Sequence, residues 1–355
     1  MKISHTNLFT TIIKHKIIVF LIVILCIFEK ANAQTDTVFW FAIPNVTDQH
    51  GDGQDPRNSS WFGGQPGVFV ISATGPTTVT LTMPAYNPAF KVTKVFPAAG
   101  RDTIDMTKYI KRDTNQTIEN IPYNTILNKG ILIRSSQNYI TVYYDLDNSR
   151  NRDIFTLKGN NGLGTSFTVP FQYDNSQATN PASPGNSNGE NSFQSYNDRP
   201  ISSIEIVATE NNTVVNITPP VKTKKIAANT TLTIVLNRGQ TYSVQALDYK
   251  VSSHMGGTKI TSNKKIAVIV KDDSVYKRGT SGTAMDLQGD QIVPDDILGK
   301  EYIIMRGRVK STCQNMVAGD ENLYTGEQAY IYAAEPNTKV SINGGPLKTI
   351  INAGG

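Results

Sequence analysis

Cysteine is scarce in this 355-residue chain, which has only Cys26 and Cys313. Cys26 lies in an apolar run near the N-terminus that we interpret below as an export signal. Removal of that signal would leave Cys313 alone, so no disulfide could form within the mature chain. The stability of the mature chain must then come from apolar burial and strand pairing.

Charged residues are also few, at 18%, and the net charge of +5 is concentrated at the N-terminus. Residues 1–33 contain four lysines and one glutamate, so little net charge is left for residues 34–355. Lysine and arginine do not cluster with aromatic residues as they do on nucleic-acid-binding faces. The composition therefore argues against nucleic acid as a partner.

Histidine is nearly absent, and only His50 and His254 follow residue 33. Neither stands in a zinc-ligand spacing or beside a GxSxG turn. No catalytic residue set and no cofactor motif is therefore predicted, and we expect a protein that is not an enzyme.

The N-terminus has the pattern of an export signal. Lys14 and Lys16 precede the apolar run IIVFLIVILCIF at residues 17–28, and Ala31 and Ala33 occupy the −3 and −1 positions before Gln34. A helix of that length spans about 18 Å, less than the roughly 30 Å of a bilayer core. We therefore predict a cleaved signal peptide over residues 1–33, no transmembrane segment after it, and a secreted or cell-surface protein.

Helical periodicity is nearly absent after residue 34, and runs of alternating or β-branched residues replace it. Examples are VFVISA at 68–73, TVTLTM at 78–83, SIEIVA at 203–208 and KIAVIV at 265–270. Such runs are typical of short strands. The sequence predicts an all-β protein.

A strand–turn–strand phrase recurs along the chain. It occurs at residues 72–81, 208–217 and 334–342, and a related phrase at 134–142 and 261–268 alternates with it. The mean spacing is about 65 residues, which suits four short strands in each period. We predict β-propeller-like blades of about 65 residues, and the alternative is a row of β-sandwich modules of about 130 residues.

The last phrase opens a unit that is not finished when the sequence stops at Gly355. An unfinished unit would leave a strand edge unpaired, which is an aggregation hazard. We expect residues 34–355 to be one all-β repeat region that is truncated at its C-terminal end.

Six phrases stand in the same order as in a known family. They are FWFA with HGD soon after it (39–42, 50–52), IFTLKG (154–159), IVATENNT (206–213), GQTY (239–242), KIAV with DDS (265–268, 272–274) and DLQGDQIVP (286–294). On these residues the chain resembles the N-terminal domain family of IgGFc-binding proteins over about residues 36–355. It is similar in particular to the bacterial exported branch, which often carries a gliding-motility-associated domain at the far C-terminus. The resemblance implies an extracellular binding or adhesion module without enzymatic activity.

A polar loop over residues 47–66 holds the candidate site residues. Its aspartates supply the hard oxygen donors that calcium prefers, although the spacing is not that of an EF-hand, so calcium is the one cofactor left open. A tryptophan between serines and glycines suits an exposed contact. The weak candidate metal ligands are Asp48, Asp52 and Asp55, and the candidate binding residues are His50, Asp52 and Trp61.

The leading hypothesis is an exported recognition or adhesion module that binds an extracellular protein or glycan. Such modules bind through loops on a rigid scaffold, here the segments 47–66 and 174–199. One alternative is a carbohydrate-active hydrolase that uses paired carboxylates from Asp52, Asp145 or Asp272. A second alternative is a structural spacer that holds a downstream domain away from the cell.

Overall fold

The structure is a computed structural model that describes nine stretches of the chain. They are residues 35–46, 67–86, 89–110, 118–146, 153–171, 202–248, 251–276, 285–304 and 330–350. Helix in these stretches is limited to single 3-10 turns, at 107–109, 159–162, 251–253 and 295–297. None of these helical turns has the length or the apolar composition to cross a bilayer. The prediction of an all-β protein is confirmed.

The strands are short except for one. They are β1 Val38–Phe41, β2 Gly67–Ala73, β3 Thr77–Met83, β4 Phe90–Phe96, β5 Gly100–Asp105, β6 Ile126–Leu127, β7 Ile131–Ser135, β8 Ile140–Leu146, β9 Asp153–Leu157, β10 Leu163–Thr168, β11 Ser203–Ala208, β12 Thr213–Thr218, β13 Leu232–Leu236, β14 Thr241–Gln245, β15 Lys259–Tyr276, β16 Met285–Gln291, β17 Thr338–Val340 and β18 Lys348–Ile350.

Strands β1–β5 and β7–β9, here called the first module, form two antiparallel four-stranded sheets. One sheet has the order β1-β7-β3-β4 and the other has the order β5-β2-β8-β9. The sheets share a core in which the ring of Phe41, from the first sheet, lies 5.3 Å from the ring of Tyr144 and 6.0 Å from the ring of Phe69, both from the second. Aromatic side chains from both sheets thus hold the first module together.

Consecutive strands of the first module join into long strands that pass from one sheet to the other. β2 continues into β3, β4 into β5 and β7 into β8. Ala73 pairs with Ile140 before the bend, and Val79 pairs with Ser135 after it. In a hairpin β2 and β3 would pair with each other, but here both pair with the same long strand. The recurring phrase at 72–81 therefore marks a bend between two sheets and does not form a hairpin.

Strands β10–β16, here called the second module, repeat this order of pairing. β11 continues into β12, β13 into β14, and the eighteen-residue β15 takes the place of β7 and β8. One edge of β15 pairs with β11 and β12, and its other edge pairs with β10 and β16. In the first module, β8 pairs in the same way with β2 and β9, and β7 pairs with β3 and β1. Together with β6, the seven strands of the second module form one eight-stranded sheet.

The same hydrogen bond fastens the bend in both modules. The hydroxyl of Thr74 donates to the carbonyl oxygen of Tyr139 at 3.0 Å, and the hydroxyl of Thr209 donates to that of Lys265 at 2.6 Å. Each threonine lies in the bend of the central long strand, and each acceptor lies in the neighbouring long strand. The two phrases that alternate in the sequence are therefore the two halves of one contact.

The described residues form two apolar cores, and the central strands of the second module border both. Ile206 of β11 and Val268 of β15 point into the second core, whereas Val207 and Ala267 point into the core of the first module. All six residues of β11 are buried as a result. The second module thus packs directly on the first.

The sheets do not coincide with single 65-residue periods. The strand before each bend and the strand after it belong to one long strand, and the pairing pattern returns only after about 130 residues, the length of a two-period module. This pairing favours the alternative of two-period modules. The propeller stays a prediction that the pairing does not support.

Candidate binding surface

The phrases that carry the family resemblance meet where the two modules join. Gln291 of the DLQGDQIVP phrase donates its side-chain amide to the carbonyl oxygen of Trp40 at 3.1 Å, and its side-chain oxygen accepts the backbone N–H of Lys158 at 2.7 Å. Gln291 is 1% exposed. One buried amide side chain therefore connects β1, the end of β9 and β16.

A partly exposed ion pair lies at the same junction. The Lys158 ammonium donates to Asp290 Oδ2 at 2.6 Å and also to the carbonyl oxygen of Gln291. The other carboxylate oxygen of Asp290 accepts the backbone N–H of Thr156 at 2.8 Å. The junction thus satisfies the polar groups of β9 and β16, which lie side by side without forming a backbone ladder.

Glycine in the DLQGDQIVP phrase allows this close approach. A Cβ atom on Gly289 would lie 2.3 Å from the ring of Phe155 and 2.7 Å from the carbonyl oxygen of Val270. On the opposite side of the junction, a Cβ on Gly130 would lie 2.5 Å from Val207 and 2.7 Å from the carbonyl oxygen of Gly239. Gly289 is required because the Phe155 ring of the first module and the backbone of β15 occupy the space of a side chain, and Gly130 is required because Val207 and the backbone of Gly239 do so.

Arg238 of the second module contacts Trp40 of the first module. Its guanidinium carbon lies 5.4 Å from the centre of the Trp40 ring, a cation–π contact. Trp40 is only 4% exposed. The FWFA, IFTLKG, GQTY and DLQGDQIVP phrases therefore build the junction, and they serve the scaffold.

Two buried charged residues that were not predicted from the sequence, Glu205 and Lys271, lie in β11 and β15 of the second module. Glu205 is fully buried, and one of its carboxylate oxygens accepts hydroxyl hydrogen bonds from Ser203 at 2.6 Å and Ser243 at 2.9 Å. Lys271, also fully buried, pairs with Ser203 in the ladder of β11 and β15. The charged residue inside the apolar run SIEIVA was the available signal.

A third buried charged residue, Lys129, lies in the segment that leads into β7. The ammonium of Lys129 donates to the carbonyl oxygens of Glu119 and Ile121, both at 2.8 Å. Burial lowers the pKa of Lys129 to about 8, although the carboxylate of Glu119 acts in the opposite direction. The buried amine closes this segment into a compact loop. Nothing in the local sequence distinguishes this lysine from an exposed one.

The carboxylates of the hydrolase alternative do not share a sheet. Asp145 is in β8 of the first module, and Asp272 is in β15. Asp272 is buried, and its carboxylate lies 3.0 Å from Nε2 of the buried His254. This histidine–aspartate pair joins the turn at 251–253 to β15, so Asp272 has a structural partner. Asp52, the third carboxylate of this alternative, lies outside the described residues.

The predicted site residues also lie outside the described part of the chain. This applies to the weak metal ligands Asp48, Asp52 and Asp55 and to the binding residues His50 and Trp61. Within the described stretches, no three histidine, cysteine, aspartate or glutamate side chains lie close enough to share a metal ion. The predictions about these five residues stay predictions.

The two predicted loops fall between β1 and β2 and between β10 and β11 in the order of strands. We call residues 42–66 and 169–202 the first and second connectors, because each joins the first strand of a module to the central long strand of that module. The predicted loops 47–66 and 174–199 lie inside these two connectors. The two predicted loops therefore occupy the same position in the order of strands of the two modules, although their sequences differ.

The described ends of both connectors are fixed to the scaffold. In the first, the side-chain amide of Asn45 donates to the carboxylate of Glu119 at 3.2 Å and its oxygen accepts the hydroxyl of Tyr123 at 3.1 Å. In the second, the backbone N–H of Val169 donates to the carbonyl oxygen of Thr258 at 3.0 Å. A rigid base under a long loop is the usual arrangement of a binding surface. We therefore take the two connectors as the candidate binding surface.

The fold and the junction define a class of protein: an all-β scaffold of similar modules in tandem that presents long connectors. A sequence model of the family described as IgGFc binding protein matches residues 153–355, which is more than half of the chain. The chain therefore belongs to the IgGFc-binding protein family, as the resemblance indicated. The match begins at β9 and includes the whole second module, whereas the FWFA phrase lies before it.

Neither the curated proteins nor the solved structures contain a significant match to this chain. The family assignment therefore rests on residues 153–355 and on the phrases within them.

Proposed function

We propose that this chain is an exported, non-enzymatic recognition module that binds an extracellular protein through its connectors. The observation that carries the proposal is that both modules place a long connector at the same topological position on a hydrogen-bonded base. Membership of a family described as IgGFc binding protein supports a binding role. The polar groups of the junction, which could have suggested chemistry, are occupied in holding the modules together.

A repeated connector position suits recognition for a physical reason. Loops of different sequence on equivalent sites of one scaffold can vary without changing the strand pairing that supports them. The second connector contains the segment DNSQATNPASPGNSNGENSFQSYNDR at 174–199, which is rich in Asn, Ser, Gly and Pro. Such a composition supports a solvent-exposed loop without a core of its own.

The test of the proposal is deletion of residues 174–199 from the mature chain. The deletion variant and the unaltered chain are compared on a panel of immobilised extracellular proteins, including the Fc fragment of IgG, and on a parallel glycan panel. We expect the unaltered chain to bind a protein on the panel and the deletion to weaken that binding at least tenfold. Thermal unfolding of the two proteins should differ by no more than a few degrees.

The outcomes separate this proposal from its alternatives. Binding only to glycans would assign the partner to the other class, and hydrolysis of a glycan would favour the hydrolase. Unchanged binding after the deletion would remove the second connector from the proposed surface. A large fall in the melting temperature would show that residues 174–199 are structural.

The close packing of the modules gives one observation in favour of a spacer. A closely packed junction formed by Gln291, Lys158 and Gly289 makes the described region suitable as a rigid rod. The spacer hypothesis predicts no binding to either panel, so the same experiment decides between the two functions.

Export forms part of the proposal and has its own test. Expression with residues 1–33 in a secreting host should yield a mature protein that begins at Gln34. The N-terminal sequence or the intact mass of the secreted protein measures this directly. A secreted or membrane-bound product that retains residues 17–28 would contradict cleavage at this site.

A further inference from the structure

The sheet of the second module ends in an open edge. β13 is the last strand in the order β13-β12-β15-β11-β14-β6, and no described strand pairs with its outer side. Val214 lies opposite Val235 and donates its backbone N–H away from β13, to Oδ1 of Asn263 at 2.8 Å. The two valines are therefore one of the pairs without backbone hydrogen bonds that alternate along an antiparallel ladder. It follows that the backbone N–H and C=O groups of Thr233 and Val235 face the open edge.

β4 is the equivalent edge strand of the first module, at the end of the order β1-β7-β3-β4. Lys94 of β4 lies opposite Val79, the third residue of β3, and Ile234 of β13 lies opposite Val215, the third residue of β12. Both valines are fully buried. Residues directly opposite each other share a face of the sheet, so the side chains of Lys94 and Ile234 both point to the core side of an edge strand. The first module thus has a lysine where the second has an isoleucine.

This lysine protects the edge of the first module. A charged side chain on the inner face of an edge strand keeps other strands from pairing with it, because pairing would take the charge out of water. The side chain of Lys94 is 33% exposed, and its ammonium lies 2.5 Å from Oδ2 of Asp102. Lys91 adds a second, exposed lysine to β4. Residues 229–237, which contain β13, include no charged residue, so the second edge lacks the charges that protect the first.

The aliphatic side chains of β13 are incompletely covered. Leu232 and Ile234 pack against the second core but are only partly buried. Val235, on the opposite face, is 52% exposed. A strand placed beside β13 would cover these three side chains and would exchange hydrogen bonds with the backbone groups of Thr233 and Val235. The edge therefore has both the apolar surface and the backbone groups that another strand needs.

We propose that β13 pairs in antiparallel orientation with β13 of a second copy of this chain, so that the two eight-stranded sheets become one. The two-fold axis passes beside Ile234, which lies opposite Ile234 of the second copy. Leu232 then lies opposite Leu236, and Thr233 lies opposite Val235, in both directions. Thr233 and Val235 exchange backbone hydrogen bonds across the edge. Aliphatic side chains meet on the core face, and no charge enters the contact.

The residues of β13 favour a second copy over an unrelated extended segment. A strand that fits this edge presents aliphatic side chains at alternate positions and carries no charge, and β13 has this pattern in either direction, LTIVL or LVITL. Because the pairing uses the open edge of both copies, it closes at a dimer. Two five-residue strands bury much less surface than the roughly 1,200–2,000 Å² of a stable complex. We therefore expect a weak dimer that forms as the protein concentration rises.

Sedimentation velocity of the mature chain over a range of concentrations tests this proposal, and we expect a monomer–dimer equilibrium. Val235→Pro removes an N–H that faces the edge and leaves the hydrogen bonds between β12 and β13 in place, so it should weaken the dimer at least tenfold. Val95→Pro is the matched control and should leave association unchanged, because Val95 lies opposite Thr78 of β3 as Val235 lies opposite Val214 of β12. A mature chain that stays monomeric at every concentration, or a Val235→Pro variant that associates as strongly as the unaltered chain, overturns the proposal.

Two further measurements separate loss of the dimer from loss of the fold. Amide hydrogen exchange of the unaltered chain should slow at least tenfold at Val235 as the concentration rises, with no change at Val95. Exchange at Val235 that is independent of concentration would place any dimer elsewhere and refute the proposal. Ile234→Lys gives β13 the inner lysine of β4 and should abolish the dimer, whereas the reverse exchange, Lys94→Ile, should not weaken it. A dimer that persists in a folded Ile234→Lys variant, as judged by thermal unfolding, contradicts the proposal as well.

Discussion

The substitution Gly289→Ala tests the junction between the modules most directly. The added Cβ would lie 2.3 Å from one carbon of the Phe155 ring, 2.4 Å from another and 2.7 Å from the carbonyl oxygen of Val270. Ordinary contacts of a Cβ atom begin near 3.4 Å. Either β16 or its neighbours must therefore move by several tenths of an ångström or more.

Neither neighbour can move at low cost. Phe155 is fully buried, with its ring 6.0 Å from that of Phe41 and 6.2 Å from that of Tyr144. The carbonyl of Val270 belongs to the backbone of β15. Overpacking of a rigid site of this kind typically costs about 1–3 kcal/mol, and we expect a value of about 3 kcal/mol here. At about 2–4 °C for each kcal/mol, the melting temperature should fall by roughly 6–12 °C.

Thermal and urea unfolding of the mature chain measure this cost. Gly100→Ala is the matched control, because a Cβ on Gly100 would have nothing within 4 Å. The control should change the free energy of unfolding by less than about 0.5 kcal/mol. Equal melting temperatures for the Gly289→Ala variant and the unaltered protein would refute the junction as described.

Two further predictions concern a buried charge and the recurring bend. Because the pKa of Lys129 falls from 10.5 to about 8 on folding, the unfolded chain binds more protons above pH 8. The free energy of unfolding should therefore rise between pH 8 and pH 10, by at most about 2 kcal/mol, and Lys129→Met should abolish this rise in urea titrations at several pH values. Thr74→Val and Thr209→Val should each lower the urea-derived stability by about 1 kcal/mol, and unequal losses would contradict the equivalence of the two bends.

The recurring phrases show how far sequence reasoning extended. Their spacing predicted a recurring structural feature, and the bends at Thr74 and Thr209 carry the same hydrogen bond. Whether such residues make a hairpin or a bend depends on which strand pairs with which. Thr74 bonds to Tyr139 and Thr209 bonds to Lys265, and these partners are distant in sequence.

The alternation in β11 shows a similar limit. SIEIVA predicts a strand with one apolar face, yet all six residues are buried. Val207 faces the first core because the first module packs on that side, and Glu205 is buried there with two serine hydroxyls on its carboxylate. A strand pattern reports the preference of its own residues, whereas burial of the second face depends on a neighbouring module.

The candidate binding surface was predicted by composition and located by topology. The richness of residues 174–199 in Asn, Ser, Gly and Pro predicts a loop without reference to any other part of the chain. Its equivalence to the first connector emerged only from the pairing of β1 with β7 and of β10 with β15. The predicted residues His50, Asp52 and Trp61 stay predictions.

The sequence by itself determined the all-β class, the positions of most strands and the family, because these depend on local residue preference and on short ordered phrases. Only the tertiary structure decided that the phrases are bends and that Gln291 and Gly289 join two modules. The physical reason is that strand pairing is made by backbone groups, which every residue carries. The choice of partner is therefore fixed by how whole sheets bury their side chains together.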